Sequence, residues 1–328
     1  MTDKLHTDNL FLSCDWGTTS LRLQLVDFKS GEVLAGISDD DGIKKTYSQW
    51  KSYSGTQNRV AFYLSVLDQK ISFLSKKVQQ NLNHVSVVVS GMASASIGLK
   101  ELPYQTLPVS LDDPDLYVES FKPTDQLTPN LYLVSGIRTS GDVIRGEETQ
   151  LLGLSEKTNL QNGVYIMPGT HSKHVFIKDR TITDFKTYLT GELFEVLAKQ
   201  STLSDSVSEP ENPEVSEAFK AGCEASRREN LLHSLFTIRS RDLLQKTPGD
   251  ENYDYLSGLL IGSELSAFAN QPPEQVVIAG ENPLLNYYSE ACRVLKINYT
   301  EAKMTAEITA AAHRKILINL QNQNITDD

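Results

Sequence analysis

The sequence predicts an α/β protein of two domains, because both halves of the chain open with the same series of elements. In each half, two short apolar runs flank a Gly-Thr turn, at Gly17-Thr18 and at Gly169-Thr170, and a third run follows. Apolar residues at every second position have the period of a half-buried strand, and spacings of three and four are those of a helix. The length of 328 residues also suffices for two domains with separate cores.

Composition argues against several classes of protein. The chain has 31 Lys and Arg against 42 Asp and Glu, and its net charge of −11 disfavours binding to nucleic acid or to an anionic membrane. No apolar run approaches the roughly 20 residues of a membrane-spanning helix, and the first residues do not resemble a signal peptide. Cys14, Cys223 and Cys292 fit no disulfide or metal spacing, so we expect a cytoplasmic protein.

The first half is expected to form a hairpin, a third strand, a helix and two central strands. Alternation, helical spacing and a β-branched run place these elements at residues 10–15 with 20–27, 32–38, 60–78, 84–89 and 131–134. Residues 103–130 contain five prolines, which lack an amide donor. We therefore expect an irregular insertion there, serving as a lid or as a wall of a substrate site.

The second half repeats the strands and then becomes mostly helical. Strands are expected at residues 163–167, 173–178, 180–187, 275–279 and 296–299, and helices at 191–200, 214–232, 252–269, after Gly280 and at 303–318. Gly258 and Gly262, four residues apart, indicate close packing of one helix against another. The domains are expected to comprise residues 1–153 and 154–328.

The duplicated turn has the pattern Gly-Thr-x-Ser-x-basic in both copies. Successive backbone N–H groups in such a turn form an anion-binding concavity, and hydroxyl side chains add donors. Two such turns that face each other across a cleft would hold a polyphosphate; the alternative is a pair of ordinary hairpins. The predicted phosphate-binding residues are Gly17, Thr18, Thr19, Ser20, Gly169, Thr170, His171, Ser172 and Lys173.

Three segments resemble the nucleotide-binding motifs of the superfamily of sugar kinases, actin and heat-shock chaperones. Asp15-Trp16-Gly17-Thr18-Thr19-Ser20 resembles the first phosphate loop, Gly169-Thr170 the second, and Gly280-Glu281-Asn282 the adenosine-binding motif. The resemblance implies two RNase H-like (actin-like ATPase) domains with ATP and Mg²⁺ in a cleft between them. The chain contains neither G-x-x-x-x-G-K-[ST] nor G-x-G-x-x-G, so the commoner phosphate-binding folds lack support.

A closer resemblance is to the 2-dehydro-3-deoxygalactonokinase family. It implies an enzyme that uses ATP to phosphorylate the terminal hydroxyl of 2-dehydro-3-deoxy-D-galactonate in sugar-acid catabolism. An exopolyphosphatase-like phosphohydrolase and a non-enzymatic nucleotide switch like actin stay open as alternatives. The blocks that carry the resemblance are DWGTT from Asp15, ELPY from Glu101, GDVIRGEETQ from Gly141, PGTHSK from Pro168, TGELF from Thr190, LLHSLF from Leu231 and YLSGLLIG from Tyr255.

The resemblance also implies a metal site and a catalytic base. Asp15, beside the first turn, stands where superfamily members place the carboxylate that holds Mg²⁺, although a turn-capping Asp is also common. The second turn has Met167 at this position. Related enzymes place the base near the start of the helix that links the halves, so it is expected among Asp142, Glu147 and Glu148. Acids there also stabilise a helix N-terminus, and that alternative stays open.

A 2-keto acid as substrate requires local cations in an acidic protein. The candidates within the motif blocks are Arg138, Arg145 and Lys173, and Arg145 is preferred as the partner of the carboxylate, because a guanidinium pairs bidentately with a carboxylate. Gly91 and Met92 follow a central strand and are expected to line the acceptor pocket. Glu192 is expected either to orient sugar hydroxyls or to place charge at a helix start. The predicted partner is thus a small sugar acid, while the sequence does not predict the oligomeric state.

Overall fold

The computed structural model describes residues 9–53, 58–211 and 214–326, and these form two compact units. The first unit comprises the described parts of residues 1–159 and 305–328, and the second comprises 160–304. This division differs from the predicted boundary after residue 153, which falls inside a helix, Glu147–Thr158. It also assigns the last helix to the first unit, which the sequence analysis did not foresee.

The first unit is built mainly on one sheet. The strands of this unit are β1 (Leu10–Trp16), β2 (Leu21–Asp27), β3 (Val33–Asp39), β4 (Val87–Gly91), β5 (Gln105–Thr106), β6 (Val109–Ser110), β7 (Val118–Phe121), β8 (Leu131–Val134), β9 (Ile137–Arg138) and β10 (Val143–Ile144). The main sheet has the order β3-β2-β1-β4-β8-β7, and a small sheet has the order β10-β9-β5. β1 to β3 are antiparallel neighbours, whereas β4 and β8 continue the sheet in parallel.

Helices cover this sheet. They are α1 (Ile43–Ser52), α2 (Arg59–Val78) and α3 (Glu147–Thr158). The predicted apolar stripe of α2 is buried in the core, as Leu67 and Ile71 show. Asn58 caps α2, since its side chain accepts a hydrogen bond from the backbone N–H of Val60.

The second unit repeats the strand arrangement. Its strands are β11 (Gly163–Met167), β12 (Ser172–Lys178), β13 (Thr181–Tyr188), β14 (Val276–Gly280) and β15 (Thr300–Lys303), and its helices are α4 (Thr190–Gln200), α5 (Glu217–Arg228), α6 (Leu231–Ser240), α7 (Gly249–Asn270) and α8 (Leu284–Leu295). These strands lie in the order β15-β14-β11-β12-β13. As in the first unit, a meander of three antiparallel strands is extended by two parallel strands. This duplication confirms the predicted fold class of two RNase H-like domains.

The last helix, α9 (Ala306–Thr326), packs against α3 of the first unit. The two backbones approach so closely that a Cβ on Gly153 would lie 1.9 Å from the carbonyl oxygen of Ile308. Oγ of Ser13 and Nδ1 of His313 form a buried hydrogen bond of 2.8 Å, which joins α9 to β1. Helix α9 therefore completes the first unit, although residues 160–304 separate it in the sequence from the rest of that unit.

Several elements differ from the prediction. Helix α1 was not predicted, because only Ile43 and Thr46 of this short helix are buried and they give no apolar period. The predicted helix 214–232 is two helices, since the side chain of Asn230 caps a new helix at Leu231. The strand expected at 296–299 lies at Thr300–Lys303.

The proline-rich insertion is packed and not merely irregular. Its strand β7 pairs with β8 at the edge of the main sheet, and Val109 and Leu111 are buried. Proline therefore limited regular structure here without preventing burial. The close packing predicted for Gly258 is confirmed, because a Cβ there would lie 2.0 Å from the carbonyl oxygen of Phe219 in α5. Within the described residues, no helix is long and apolar enough to cross a membrane.

Candidate active site

The first Gly-Thr turn joins β1 to β2. The N–H of Gly17 donates to the carbonyl oxygen of Ser20 at 2.9 Å, and Thr18 and Thr19 are exposed. Gly17 does not adopt a positive φ, and among the described residues a Cβ on it would meet nothing closer than 3.5 Å. Neither conformation nor packing thus requires glycine here. Its absence of a side chain keeps space beside the main chain, as a bound anion would need.

The start of α1 supports this turn. The N–H groups of Ile43 and Lys44 donate to the carbonyl oxygens of Gly17 and Thr18, at 2.9 and 3.0 Å. Gly42 lies against the turn so closely that a Cβ there would be 2.3 Å from the carbonyl carbon of Thr19. The carbonyl groups of the turn are therefore bonded on the helix side.

Asp15 lies near the end of β1, opposite Arg22 of β2 and Ser90 of β4. Its Oδ2 is 3.6 Å from Nη1 of Arg22, and 20% of its side chain is exposed. Burial raises the pKa of Asp15, the charge of Arg22 opposes this rise, and the charge of Glu147 adds to it. A cation would stabilise both neighbouring carboxylates.

Asp15 therefore fits the predicted Mg²⁺ site. Mg²⁺ keeps several waters and is bound by one or two carboxylates together with substrate phosphates. In the part of the chain that the structure describes, no group of three His, Cys, Asp or Glu side chains could form a metal site of protein ligands alone. The donor set at Asp15 is of the open kind that a phosphate-bound Mg²⁺ uses.

Two glycines bring β4 and α3 together beside Asp15. Gly91 and Gly146 have positive φ values of 85° and 108°, which favour glycine. A Cβ on Gly146 would lie 3.3 Å from Cα of Gly91, and a Cβ on Gly91 would lie 3.3 Å from Oδ1 of Asp15. The predicted acceptor-site residue Gly91 thus lies at the Asp15 carboxylate, and Met92 begins the 3₁₀ turn that follows.

The two glutamates at the start of α3 have different environments. Oε2 of Glu147 accepts a hydrogen bond of 3.2 Å from the backbone N–H of Arg145, and its side chain is partly exposed. Glu148 is buried; its Oε2 accepts from the N–H of Gly146 at 2.7 Å and its Oε1 from the hydroxyl of Thr149 at 3.0 Å. Burial and then the charge of Glu147 raise the pKa of Glu148 to about 8.

Asp142 does not begin the helix, contrary to the expectation. It lies in the turn between β9 and β10, where its Oδ1 accepts a hydrogen bond of 2.7 Å from the N–H of Val143. The helix begins at Glu147, with Gly146 as the N-cap residue. The sequence could not separate the three acids, because each is compatible with a helix start.

Arg145 is held in a fixed orientation. Its Nη1 donates to Oγ of Ser94 at 2.5 Å, its Nη2 donates to the carbonyl oxygen of Leu102 at 3.4 Å, and its guanidinium carbon lies 4.2 Å from the ring centre of Tyr104. Its Nε is buried without a hydrogen-bond partner among the described residues. The guanidinium thus lies beside the predicted acceptor-site turn, and its hydrogen bonds engage only part of its five N–H donors.

The second Gly-Thr turn joins β11 to β12 and is supported in the same way as the first. The N–H of Glu192 in α4 donates to the carbonyl oxygen of Thr170 at 2.9 Å. A Cβ on Gly191 would lie 2.7 Å from the carbonyl oxygen of Gly169. A Cβ on Gly169, by contrast, would meet among the described residues only the carbonyl oxygen of His171, at 3.9 Å.

Charged side chains surround this second turn. Nε2 of His171 lies 2.5 Å from Oε2 of Glu192, and both side chains are about half exposed, at 44% and 53%. Nζ of Lys173 donates to the carbonyl oxygen of His171 at 2.7 Å, and the lysine is 9% exposed. Glu192 is thus bonded to the turn and lies in the first turn of α4, in agreement with the predicted alternative of charge at a helix start; its role in orienting sugar hydroxyls stays a prediction.

A pocket of about 770 Å³, solvent space included, adjoins this turn within the second unit. The side chains in its wall are mainly apolar and aromatic, and Phe194 and Tyr253 form an edge-to-face pair with ring centres 4.7 Å apart. The residues that line it are Gly169, Thr190, Gly191, Phe194, Glu209, Pro210, Tyr253, Ser257, Leu260, Ile261, Pro283, Leu284, Tyr287 and Tyr288. A concave apolar site with few polar groups is typical of a small-molecule or nucleoside site.

The predicted adenosine motif borders this pocket. Gly280 ends β14 and is buried, while Glu281 and Asn282 are exposed; the next residues, Pro283 and Leu284, line the pocket. The aromatic residues of the wall were not predicted from the sequence. The TGELF block, which contains Phe194, was the only signal for them, and it did not show which residues would face a ligand.

These features define the class of the protein. A carboxylate beside a phosphate-type turn in one unit, and a pocket beside a second such turn in the other, are the elements of a nucleotide-dependent phosphotransferase. The family model of 2-keto-3-deoxy-galactonokinase matches residues 15–316, and the chain belongs to this family. The chain is therefore a sugar-acid kinase.

Relatives of known name agree with this assignment. The chain is 30% identical over 322 residues to the Rhizobium meliloti (strain 1021) protein named probable 2-dehydro-3-deoxygalactonokinase DgoK1, covering 94% of this chain and 98% of the relative. It is 27% identical to the 2-dehydro-3-deoxygalactonokinase of Escherichia coli (strain K12), covering 92% and 97%. A crystal structure of a Sinorhizobium meliloti protein described as the same kinase superposes with a TM-score of 0.78 at 26% identity, covering 95% and 96%. The predicted family and enzyme class are confirmed.

Proposed function

We propose that this kinase transfers the γ-phosphoryl group of ATP to the terminal hydroxyl of 2-dehydro-3-deoxy-D-galactonate. The observation that carries the proposal is the grouping of Asp15, Gly91 and the start of α3 in the first unit. Phosphoryl transfer requires positioning, neutralisation of phosphate charge and a carboxylate directed at the attacking hydroxyl. The choice of substrate is supported by the names of the two relatives.

In this proposal the first unit supplies the metal and phosphate contacts. Asp15 holds Mg²⁺, which when bound would neutralise charge on the phosphate oxygens. Gly17, Thr18, Thr19 and Ser20 supply N–H and hydroxyl donors for phosphate oxygens. The open space beside Gly17 supports this role.

Glu147 is the proposed base. It is partly exposed and its charge acts on Asp15, so it lies near the metal site and can be reached by a substrate. Glu148 is buried and accepts a hydrogen bond from the N–H of Gly146 at the start of its own helix, so its proposed role is to hold this helix start in place. Asp142 is engaged in a hairpin turn, so we assign it no catalytic role.

Arg145 is the proposed partner of the substrate carboxylate, and Gly91 and Met92 form the adjoining wall of the acceptor site. The contacts of Arg145 with Ser94 and Tyr104 support this role, since they preorganise its guanidinium. The keto acid would be the small-molecule partner of this acidic protein.

The second unit would bind the nucleotide. Gly169, Thr170, His171, Ser172 and Lys173 are proposed to contact the phosphates of ATP. The adjoining pocket is proposed to hold the nucleoside, bordered by the residues of the adenosine motif, Gly280, Glu281 and Asn282. The aromatic wall of the pocket supports this assignment, because aromatic side chains stack on nucleobases.

We also propose that the protein works in the cytoplasm. The three cysteines are free and buried, and a reducing compartment would keep them so.

ADP formation with a panel of acceptors tests the function. Purified protein with ATP and Mg²⁺ is given 2-dehydro-3-deoxy-D-galactonate, its gluconate epimer, galactonate without the keto group, and free hexoses. We expect acceptor-dependent ADP with the first compound and the lowest KM in the panel for it.

Two results would contradict the proposal. Phosphate release from polyphosphate without ADP formation would favour the phosphohydrolase. ADP release at the same rate with and without every acceptor would exclude a sugar-acid kinase.

A further inference from the structure

The second unit contains a buried carboxylate that the proposed chemistry does not use. Glu264 lies in the middle of α7, and its side chain is 1% exposed. Burial of an ionised carboxylate is costly unless it accepts several hydrogen bonds. Its contacts therefore decide what it does.

Four donors from different parts of the unit surround Glu264. Its Oε1 accepts from Oγ of Ser172 at 2.7 Å and from Nε2 of His174 at 2.8 Å. Its Oε2 accepts from the hydroxyl of Tyr288 at 2.7 Å and from the hydroxyl of Thr190. Burial tends to raise the pKa of Glu264, but these hydrogen bonds and the interaction with His174 outweigh it, and the net pKa is lowered.

The imidazole of His174 is fixed as a donor. Its ring packs against Phe268 and Tyr188, with ring centres 4.9 and 4.4 Å apart. Its Nδ1 is buried without a hydrogen-bond partner among the described residues. An N–H on Nε2 donates to Oε1 of Glu264, and the packed ring holds this donor in place.

Three of these donors belong to the second Gly-Thr turn or to the pocket beside it. Ser172 ends the second Gly-Thr turn, and Thr190 immediately precedes Gly191, which packs against Gly169. Thr190 and Tyr288 line the pocket. A single carboxylate therefore bonds the turn, the start of α4 and the wall of the pocket.

We propose that Glu264 is a positioning residue that holds the second phosphate turn and the pocket wall in the geometry that binds nucleotide. It touches no substrate and acts through Ser172, Thr190 and Tyr288. This inference rests on the proposed function of the second unit. It predicts that nucleotide affinity depends on the charge of Glu264, since four donors converge on its two oxygens.

Glu264→Gln tests this role. The amide keeps the size of the side chain, but its NH₂ group is directed at hydrogen-bond donors. We expect the KM for ATP to rise about 10- to 100-fold, the range for loss of a residue that orients ligating groups. The KM for 2-dehydro-3-deoxy-D-galactonate should change less than about twofold, because the acceptor groups lie in the first unit.

The split between the two KM values separates positioning from loss of structure. Loss of folded protein would lower kcat and leave both KM values unchanged. Glu290→Gln is the matched control, because Glu290 is a carboxylate of the same unit that pairs with Arg293 at 2.7 Å and does not line the pocket. It should leave both KM values unchanged. An unchanged KM for ATP in Glu264→Gln would overturn the inference.

A double-mutant cycle adds an independent test. Tyr288→Phe removes one donor to Glu264, so it should raise the KM for ATP in the parent protein and have little further effect in Glu264→Gln. Fully additive effects would also overturn the inference.

Calorimetric titration with ATP alone separates this inference from the proposed function. If the parent protein binds ATP without phosphorylating the keto acid, the proposed function fails. A weakened affinity of Glu264→Gln would then still support the positioning role, and an unchanged affinity would refute it.

Discussion

The two units build the same turn on the same strands, yet they surround it with different charges. In each, a helix start supports the turn through a backbone N–H, and a glycine, Gly42 or Gly191, packs against it. At the strand before the turn, the first unit has Asp15 and the second has Met167. The two units therefore share the backbone of the turn and differ in the side chain beside it.

The buried glutamates show the same divergence. Burial and the charge of Glu147 raise the pKa of Glu148 to about 8, and the hydrogen bonds to its carboxylate do not outweigh them. The pKa of Glu264 is lowered although it is also buried, because its hydrogen bonds and the electrostatic interaction with His174 outweigh the cost of burial. Hydrogen bonds and neighbouring charged groups, and not burial alone, thus decide the direction of each pKa shift.

Replacement of Asp15, which stands beside the first turn where the second has Met167, should have the largest effect on kcat. We expect Asp15→Asn to lower kcat about 10²- to 10³-fold with the fold retained, because the amide cannot supply the charge that holds Mg²⁺. Steady-state kinetics at saturating Mg²⁺ measures this. Met167→Leu, the matched change at the second turn, should alter kcat less than about twofold. Equal effects of the two changes would contradict the division of roles.

Glycine substitutions test what the two turns share. In Gly42→Ala and Gly191→Ala, the new Cβ would lie 2.3 and 2.7 Å from backbone atoms of the turn, so we expect a loss of about 1–3 kcal/mol in the free energy of unfolding. Chemical denaturation measures it. Gly141→Ala is the control, because a Cβ there meets no described atom within 4 Å, and its effect should stay within about 0.5 kcal/mol.

The glycines inside the turns should behave in the opposite way. Gly17→Ala and Gly169→Ala place a Cβ at ordinary van der Waals distance, no closer than 3.5 and 3.9 Å to a described atom, so stability should be kept. Affinity for ATP should fall about 10-fold or more, the cost of one lost hydrogen bond to a charged group. Titration calorimetry with ATP measures this fall. Loss of stability without loss of affinity would show that these glycines serve only the fold.

The pH dependence of the free energy of unfolding should reveal the raised pKa of the buried Glu148. Glu148 has a pKa near 4.5 when unfolded and about 8 when folded, so the folded state binds its proton more tightly. Its contribution to stability is complete below about pH 4.5 and is lost as the pH rises towards 8. The free energy of unfolding of the parent, relative to Glu148→Gln, should fall between these values in urea titrations. A constant difference would show that Glu148 is ionised in the folded protein.

Short-range sequence patterns predicted those features of the fold that depend on residues close together in the sequence. The turn residues, the apolar stripe of α2 and the close packing at Gly258 follow from short-range spacing, and the structure agrees with each. Asp142 was misplaced because a helix start and a hairpin turn both favour Asp. Glu264 was missed because its partner Ser172 is 92 residues away, and no sequence period reports such a contact.

The packing of α9 on α3 affects the order in which the chain can mature on the ribosome. Translation delivers β1 to α3 first, but the contacts of Ile308 and His313 with these elements form only after residues 160–304 have emerged. Translation therefore delivers most of the unit that carries Asp15 before residues 160–304 and completes that unit after them. A premature stop before α9 would spare the half that contains the pocket and leave the half that carries Asp15 unfinished.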